Sequence, residues 1–245
     1  MNPMLTVSNL SVTIPNKTII HDLTASFDQG KLTVIMGPNG SGKSTFTQAI
    51  MGNPSYAVSG VITLGGTNIS ELNTEERACK GLFLAFQSPL AIPGVSVVNI
   101  LRASLAEKNT KKGKIDALSL MRDIKKYASE LKIDESLLSR GVNDGFSGGE
   151  RKKMEVLQAL VLKPEFAMFD EIDTGLDVDA LKLVAQGIAT LQKNGTGVLV
   201  ITHYNRILKY LKPDTIIVLV GGKVAKVGGP ELSTQIEEEG YSKYE

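Results

Sequence analysis

Gly37-Pro38-Asn39-Gly40-Ser41-Gly42-Lys43-Ser44-Thr45 follows a short apolar run, Lys31 to Met36, and opens onto Thr45 to Met51, which reads as a helix. The glycines therefore fall at a strand-to-helix turn, the context in which such a stretch cradles phosphate. Gly37 and Gly42 let the backbone turn tightly with its N–H groups pointing inward, Lys43 reaches the β and γ phosphates, and the Ser44 hydroxyl ligates Mg²⁺. The helix N-terminus adds roughly half a positive charge facing the anion. The expected nucleotide-binding residues are Gly37, Pro38, Asn39, Gly40, Ser41, Gly42, Lys43, Ser44 and Thr45.

A chain of 245 residues is long enough for one large domain or two small ones. Lys+Arg of 27 against Asp+Glu of 26 leaves a formal net charge of +1, so no global field recruits nucleic acid or anionic lipid. The lone Cys79 cannot form an internal disulfide, which fits a reducing compartment, nor can it hold a metal cluster by itself. No basic stretch followed by an apolar core marks Met1 to Val12, and no apolar run approaches the ~20 residues of a membrane span. The expectation is a cytoplasmic protein without nucleic acid or direct membrane contact.

Outward from the phosphate loop, Leu5 to Ile14 and Ile19 to Phe27 alternate apolar and polar residues around Pro15-Asn16 and read as an antiparallel hairpin. Gly60 to Gly66 reads as a strand and a glycine turn, and Leu82-Phe83-Leu84-Ala85-Phe86 as a buried strand ending at Gln87. From Pro89 to Pro164 the pattern turns helical. In that block Ile115 to Leu131 repeats apolar residues at Ile115, Leu118, Met121, Ile124, Ala128 and Leu131, behind a solvated loop carrying Lys108, Lys111, Lys112 and Lys114. A further helix runs from about Ser147 to Leu162, stopped by Pro164. Phe166 to Phe169 is a strand ending in Asp170-Glu171, Ala180 to Leu191 a helix, and Gly197 to Ile201 a strand ending at Thr202-His203. Thr215 to Val220 and Lys223 to Val227 form a last hairpin before a helix from Pro230 to Glu239. Strands alternating with helices imply an α/β fold: a mostly parallel sheet with antiparallel hairpins at its margin and an inserted helical subdomain. One domain is expected over 1–245, with 1–88 and 166–245 as nucleotide-binding core and 89–165 as the helical part.

Phosphate binding alone leaves several reactions open, and the strand ends narrow them. Asp170 is the carboxylate that a hard cation needs beside the phosphate loop, so Ser44, Asp170 and Gln87 form the expected Mg²⁺ set. Glu171 is placed to orient or deprotonate an attacking water. Gln87 and His203 end two further strands on the ligand-binding edge, Gln87 to report the nucleotide state and His203 to hydrogen-bond the γ phosphate. Lys43, Gln87, Glu171 and His203 are the expected catalytic residues. In Phe146-Ser147-Gly148-Gly149-Glu150, Ser147, Gly148 and Gly149 start a helix with a capping hydroxyl and free N–H groups, a second anion site. Two such sites in one chain imply a triphosphate held between two copies, with Gly175-Leu176-Asp177 touching the second copy.

In order and over the whole chain, GPNGSGKST, Gln87, FSGGE, FAMFDE, GLD and His203 resemble the Walker A, Q-loop, signature, Walker B, D-loop and switch histidine of the ABC-type ATPases. The resemblance implies ATP and Mg²⁺ as ligands. Many members stack adenine on an aromatic residue of the first hairpin; none stands here before Phe27, so an aliphatic side chain such as Ile14 is expected to support the base, with loose selectivity.

Most transporter subunits read Leu-Ser-Gly-Gly-Gln at the signature and Asp-Glu-Pro after the catalytic strand. This chain has FSGGE with Arg151-Lys152-Lys153, and Asp170-Glu171-Ile172-Asp173-Thr174-Gly175-Leu176-Asp177. With Ile92-Pro93-Gly94-Val95, Gly141-Val142-Asn143-Asp144-Gly145 and Thr202-His203-Tyr204, that variant resembles the SufC family, soluble ATPase subunits of the SUF machinery for iron–sulfur cluster assembly. The resemblance implies SufB-like and SufD-like scaffold partners, docking near Gln87 where Pro89 to Leu105 is unusually apolar. Met154 departs from that family's asparagine, which puts a local contact in question, with a partner as one reading.

Charge adds one expectation. Asp170, Glu171 and Asp173 crowd one strand end and repel in the absence of metal, so Lys152 or Lys153 is expected to pair with one of them in the free subunit and slow its turnover. Two alternatives stand beside this reading: the ATP-binding subunit of a membrane transporter, and a module that binds nucleotide without hydrolysing it.

Overall fold

A computed structural model describes residues 3–15, 17–108, 116–203 and 206–244. Asn16, Lys111, Lys112, Lys114, Ile115 and Tyr204, named in the sequence reading, lie outside the described residues. Along the chain come β1 (Pro3–Ile14), β2 (Lys17–Asp28), β3 (Leu32–Met36), α1 (Lys43–Met51), β4 (Ala57–Leu64), β5 (Thr67–Asn68), α2 (Thr74–Cys79) and β6 (Leu82–Ala85). Next are β7 (Ile92–Ser96), α3 (Val97–Lys108), α4 (Ala117–Glu130), α5 (Glu135–Ser139), β8 (Gly141–Val142) and α6 (Gly148–Leu162). The chain closes through β9 (Phe166–Asp170), α7 (Val178–Lys193), β10 (Gly197–Ile201), β11 (Thr215–Val220), β12 (Lys223–Gly228) and α8 (Glu231–Glu239).

The unbroken apolar runs become the centre of a six-stranded sheet in the order β12-β11-β3-β10-β9-β6, parallel except for the antiparallel β12. Such strands carry no polar face because both sides are covered. Val34, Phe169, Val200 and Val218 point into one core with Leu157 of α6 and Val184 of α7. Their neighbours Ile35, Met168, Leu199 and Ile217 point into a second core with Phe46 and Ile50 of α1 and Leu5 and Val7 of β1. Each side chain's direction follows from the two-residue period of a strand. The first hairpin does not lie at the margin of the parallel sheet as expected; β2-β1-β4-β5 is a separate antiparallel sheet across the second core, and only β11–β12 is marginal.

Residues 89–165 are not purely helical. β7 pairs antiparallel with β8, Ile92 opposite Val142 and Ser96 opposite Gly141. α4 forms where its periodicity predicts and buries Ile124 and Ala128 of the expected stripe, with Leu131 just beyond it; Leu118 is the departure, 84 % exposed, while Leu120 and Tyr127 are buried. Lys108 is no solvated loop lysine, since its ammonium donates to the carbonyls of Leu162 and Lys163, both at 3.0 Å, at the C-terminus of α6 where a cation is favoured. Met154 is fully buried on α6, so its contacts are made within the chain and not with a partner.

This layering sends the C-terminal ends of the parallel β3, β6, β9 and β10 to one edge of the sheet, the edge where open α/β sheets bind ligands.

Candidate active site

At that edge lies a cleft of about 830 Å³ lined by Pro38, Asn39, Gly40, Gly42, Lys43, Ser44, Thr45, Gln87, Glu171 and His203, with Lys17, Ile19, Thr174 and Tyr241 completing its wall. The loop between β3 and α1 has the tightness its glycines require. A Cβ at Gly37 would stand 2.1 Å from the carbonyl oxygen of Leu219, and Gly42, at φ 99°, would press one to 2.6 Å from Ile20 Cδ1. Only glycine fits either place.

Lys43 is buried, and its ammonium donates to the carbonyls of Gly37 and Pro38, each at 2.9 Å, and to Ser41 Oγ at 3.4 Å. Burial brings its pKa down to about 8, against the opposing charges of Glu171 and Asp170. A triphosphate selects the protonated amine, so ATP affinity is expected to be full below about pH 8 and to weaken above it, at the limit by about tenfold per pH unit. Dissociation constants measured at about pH 7 to 9.5 check this; a flat profile would contradict it.

Asp170 ends β9 almost fully buried. Burial pushes its carboxyl up, the Ser44 hydroxyl opposes that shift, and the Glu171 charge adds to it. Its Oδ1 has no hydrogen-bond partner, which is costly for a buried oxygen. One carboxylate with one hydroxyl is a small donor set. It suits Mg²⁺, which takes one or two protein oxygens and fills its octahedron with phosphate oxygens and water. Among the described residues no group of three or more His, Cys, Asp or Glu side chains forms a metal cage.

Glu171 is the centre of the arrangement. Its Oε2 accepts from Gln87 Nε2 at 2.6 Å, and its Oε1 lies 2.6 Å from His203 Nε2. Two groups expected at the metal and the γ phosphate thus converge on the carboxylate between them. Its backbone sits at φ 48°, a left-handed conformation costing a non-glycine residue on the order of 1–3 kcal/mol. Three bonds hold it there: Glu171 N–H to the Ile201 carbonyl at 3.0 Å, Thr174 N–H to the Glu171 carbonyl at 3.2 Å, and Lys152 Nζ to that same carbonyl at 3.0 Å.

Lys152 also reaches the Gln87 carbonyl at 2.9 Å, and Lys153 the Lys132 carbonyl at 2.8 Å. Neither makes the carboxylate ion pair expected from charge. Backbone carbonyls compete with carboxylates for an ammonium, and here they take both lysines. Asp173 is buried, and its Oδ2 accepts from Thr202 Oγ1 at 2.7 Å.

The second anion site stands apart from this cleft. Ser147 is exposed and caps α6 reciprocally: Glu150 N–H donates to Ser147 Oγ at 3.2 Å, and Ser147 N–H to Glu150 Oε2 at 2.7 Å. Gly148 is exposed beside it, Gly149 half-buried, and nothing crowds the Gly148 Cα. None of Ser147, Gly148 and Gly149 lines the cleft of its own chain. Gly175 is exposed, Leu176 buried, and Asp177 caps α7 by accepting from Ala180 N–H at 2.7 Å.

Four lining residues escape the sequence reading. Ile19 and Lys17, from the second strand of the hairpin, line the cleft where Ile14 of the first strand was expected, and Ile14 is not part of its wall. Tyr241 arrives from beyond α8, and Thr174 from the turn after Glu171. No local pattern marks Tyr241; the glycine at 240, in φ 72°, is the one hint that the chain turns back there.

Residues 20–174 match the sequence profile of the ABC transporter family. Vegetative protein 296 of Bacillus subtilis is 44% identical over 241 residues, 97% of this chain and 91% of that protein. A probable ABC transporter ATP-binding protein of Streptococcus pyogenes serotype M18 is 42% identical over 240 residues, covering 98% and 94%. Among solved structures, the ATP-binding cassette MJ0796, dimeric in a post-hydrolysis state with ADP and Pi, superposes with a TM-score of 0.78 at 20% identity, covering 92% of this chain and 98% of that one. With its phosphate loop, strand-end carboxylates and capped signature helix in place, this chain belongs to the ABC transporter family.

Proposed function

We propose that this chain is a cytoplasmic ATPase subunit of an iron–sulfur cluster assembly system, similar to SufC, working on SufB-like and SufD-like scaffold proteins. The observation that carries the reading is the altered signature and catalytic strand. FSGGE-Arg151-Lys152-Lys153 and Asp170-Glu171-Ile172-Asp173 depart from the usual transporter pattern at Phe146, Glu150 and Ile172, and Lys152 and Asp173, which follow them, lie buried. Other features support it. Phe86, Leu90, Ile92 and Val95 leave apolar surface exposed beside Gln87, a place for a scaffold to dock and move the loop. Cys79 stands alone, its thiol pushed up by burial and by Glu107, Glu75 and Glu76, which disfavours the thiolate that iron requires, so the cluster belongs on other chains.

In this reading two copies close on two ATP molecules. The loop from Gly37 to Thr45 of one copy and Ser147, Gly148 and Gly149 of the other grip each triphosphate, while Gly175-Leu176-Asp177 couples the two sites. Ser44, Asp170 and Gln87 hold Mg²⁺, which neutralises phosphate charge when bound. Lys43 binds the β and γ phosphates, Glu171 orients and deprotonates the attacking water, and His203 donates to the γ phosphate. A Glu171 carboxylate occupied by Gln87 and His203 supports a slow free subunit that speeds up once partners shift those contacts.

A second reading is favoured by the name of the Streptococcus pyogenes relative, an ABC transporter ATP-binding protein. Among the described residues no helix is long and apolar enough to cross a membrane, so a transporter role would need a separate spanning partner. Affinity purification of the tagged chain from its own cells separates the two readings. Soluble scaffold proteins that carry iron–sulfur clusters support the first, and a multispanning membrane protein overturns it in favour of the second.

A further inference from the structure

Asn143 is buried in the stretch Gly141-Val142-Asn143-Asp144-Gly145, just ahead of the exposed Ser147, and the catalytic reading gives it no task. Its backbone stands at φ 57°, a left-handed conformation that glycine and asparagine tolerate best. The turn accounts for the backbone and not for the side chain. Asn143 Nδ2 donates to the Leu90 carbonyl at 3.0 Å, while its buried Oδ1 has no hydrogen-bond partner. Glycine would make the same turn without leaving a buried oxygen unpaired, so the amide answers to something other than the turn.

Its bond joins two segments with different duties. Leu90 lies three residues beyond Gln87, and at 83 % it is the most exposed of the apolar group Phe86, Leu90, Ile92 and Val95. On one side of Leu90, Gln87 Nε2 donates to the Glu171 carboxylate at 2.6 Å, and the Gln87 carbonyl is fixed by Lys152 at 2.9 Å. On the other side β7 pairs with β8 so closely that a Cβ at Gly141 would stand 3.0 Å from the Ile92 carbonyl oxygen. Past Asn143 the chain is braced again. Arg140 Nη2 donates to the Asp144 carbonyl at 2.9 Å, and Arg151 Nε of α6 to the Phe146 carbonyl at 3.0 Å. A supported path thus leads from Leu90 through Asn143 to Phe146, the residue before Ser147.

We propose that Asn143 is a positioning residue that sets the Ser147 cap from Leu90, and so acts on the triphosphate in the cleft of the other copy and not on that of its own chain. None of Leu90, Asn143 and Ser147 lines the cleft of its own chain. An apolar partner surface seated on Leu90 is then felt twice: through Gln87 at the Glu171 carboxylate of the same copy, and through Asn143 at the cap offered to the other. The inference rests on the reading that two copies share each triphosphate.

The test mixes full chains so that only one kind of site can work. Lys43→Ala disables the cleft of one copy and Ser147→Arg the cap of the other, so the working site joins Lys43 of the second to Ser147 of the first. Asn143→Gly, which keeps the left-handed turn and removes the bond to Leu90, is then added to one copy at a time. In the Lys43→Ala copy, which supplies Ser147, it should lower ATP turnover of the mixture about fivefold or more; in the Ser147→Arg copy it should change turnover by less than about twofold. Asn143→Asp, which sets a carboxylate oxygen against the Leu90 carbonyl, should show the same asymmetry. Equal losses in the two placements overturn the proposal, because poorer folding accounts for them. So does turnover unchanged in both, or a loss confined to the Ser147→Arg copy. A mixture of Lys43→Ala and Ser147→Arg that recovers no activity, with Asn143 intact in both copies, sinks instead the shared-triphosphate reading beneath it.

Discussion

Glu171→Gln is expected to bind ATP with nearly parental affinity and to lose about three orders of magnitude in turnover. The substitution is isosteric, so the left-handed backbone at φ 48° and its bonds to Ile201, Thr174 and Lys152 lie outside the altered group. The amide oxygen still accepts from Gln87, while the amide nitrogen can meet His203 only when the imidazole presents its lone pair. What disappears is the capacity to take a proton from water, a contribution of about 10²–10⁴ for a positioned base. ATP should then accumulate unhydrolysed, and the closed two-copy state that it bridges should become long-lived. Single-turnover hydrolysis of labelled ATP, with sedimentation of the nucleotide-bound species, reads both consequences. Turnover equal to the parent's would remove Glu171 from the role assigned to it.

The parts of this molecule legible in the sequence are those where local chemistry and tertiary demand coincide. Phe166 to Phe169 and Gly197 to Ile201 are apolar without alternation because strands covered on both faces need no polar side, and they fold as read. Ser147 and Glu150 announce the start of α6 because a capping box is a contract between residues three apart. Leu118 misleads for the opposite reason. The face that α4 buries is set by where α6 lies, and Leu120, as apolar as Leu118, joins Ile124, Tyr127 and Ala128 on it. The pairing of Ile92 with Val142 joins residues far apart in the chain, across segments too short and too rich in glycine and proline to carry a strand pattern.

In the cleft the same distinction holds. The phosphate loop, Gln87, Glu171 and His203 come together because strand ends of a parallel sheet share an edge, which a sequence reveals through its order of elements. Which strand of the first hairpin faces that edge depends on twist and register, and there Ile19 replaces Ile14. Charge counting anticipates that Lys152 belongs to the carboxylate cluster, yet it assigns the wrong acceptor, because it takes no account of two backbone carbonyls at hydrogen-bonding distance.

Mixing two inactive variants is expected to restore ATPase activity. Lys43→Ala removes the phosphate-binding amine from the cleft, and Ser147→Arg puts a bulky cation on the exposed cap of α6. Each alone should reduce turnover by about a hundredfold or more, since every site in its homodimer lacks one wall. They should differ in binding: Ser147 lies outside its own chain's cleft, so Ser147→Arg keeps monomer ATP affinity within about threefold while losing on the order of 1 kcal/mol of helix-cap stability. In an equimolar mixture, half of the dimers pair unlike chains. Each such dimer has one site built from the intact Lys43 of one copy and the intact Ser147 of the other. Two-fold symmetry then predicts recovery to roughly a quarter of parental activity if the two sites act independently. Activity in the mixture no greater than the sum of the separate variants would mean that each cleft works with groups from its own chain, and the exposure of Ser147 and Gly148 would then need another explanation.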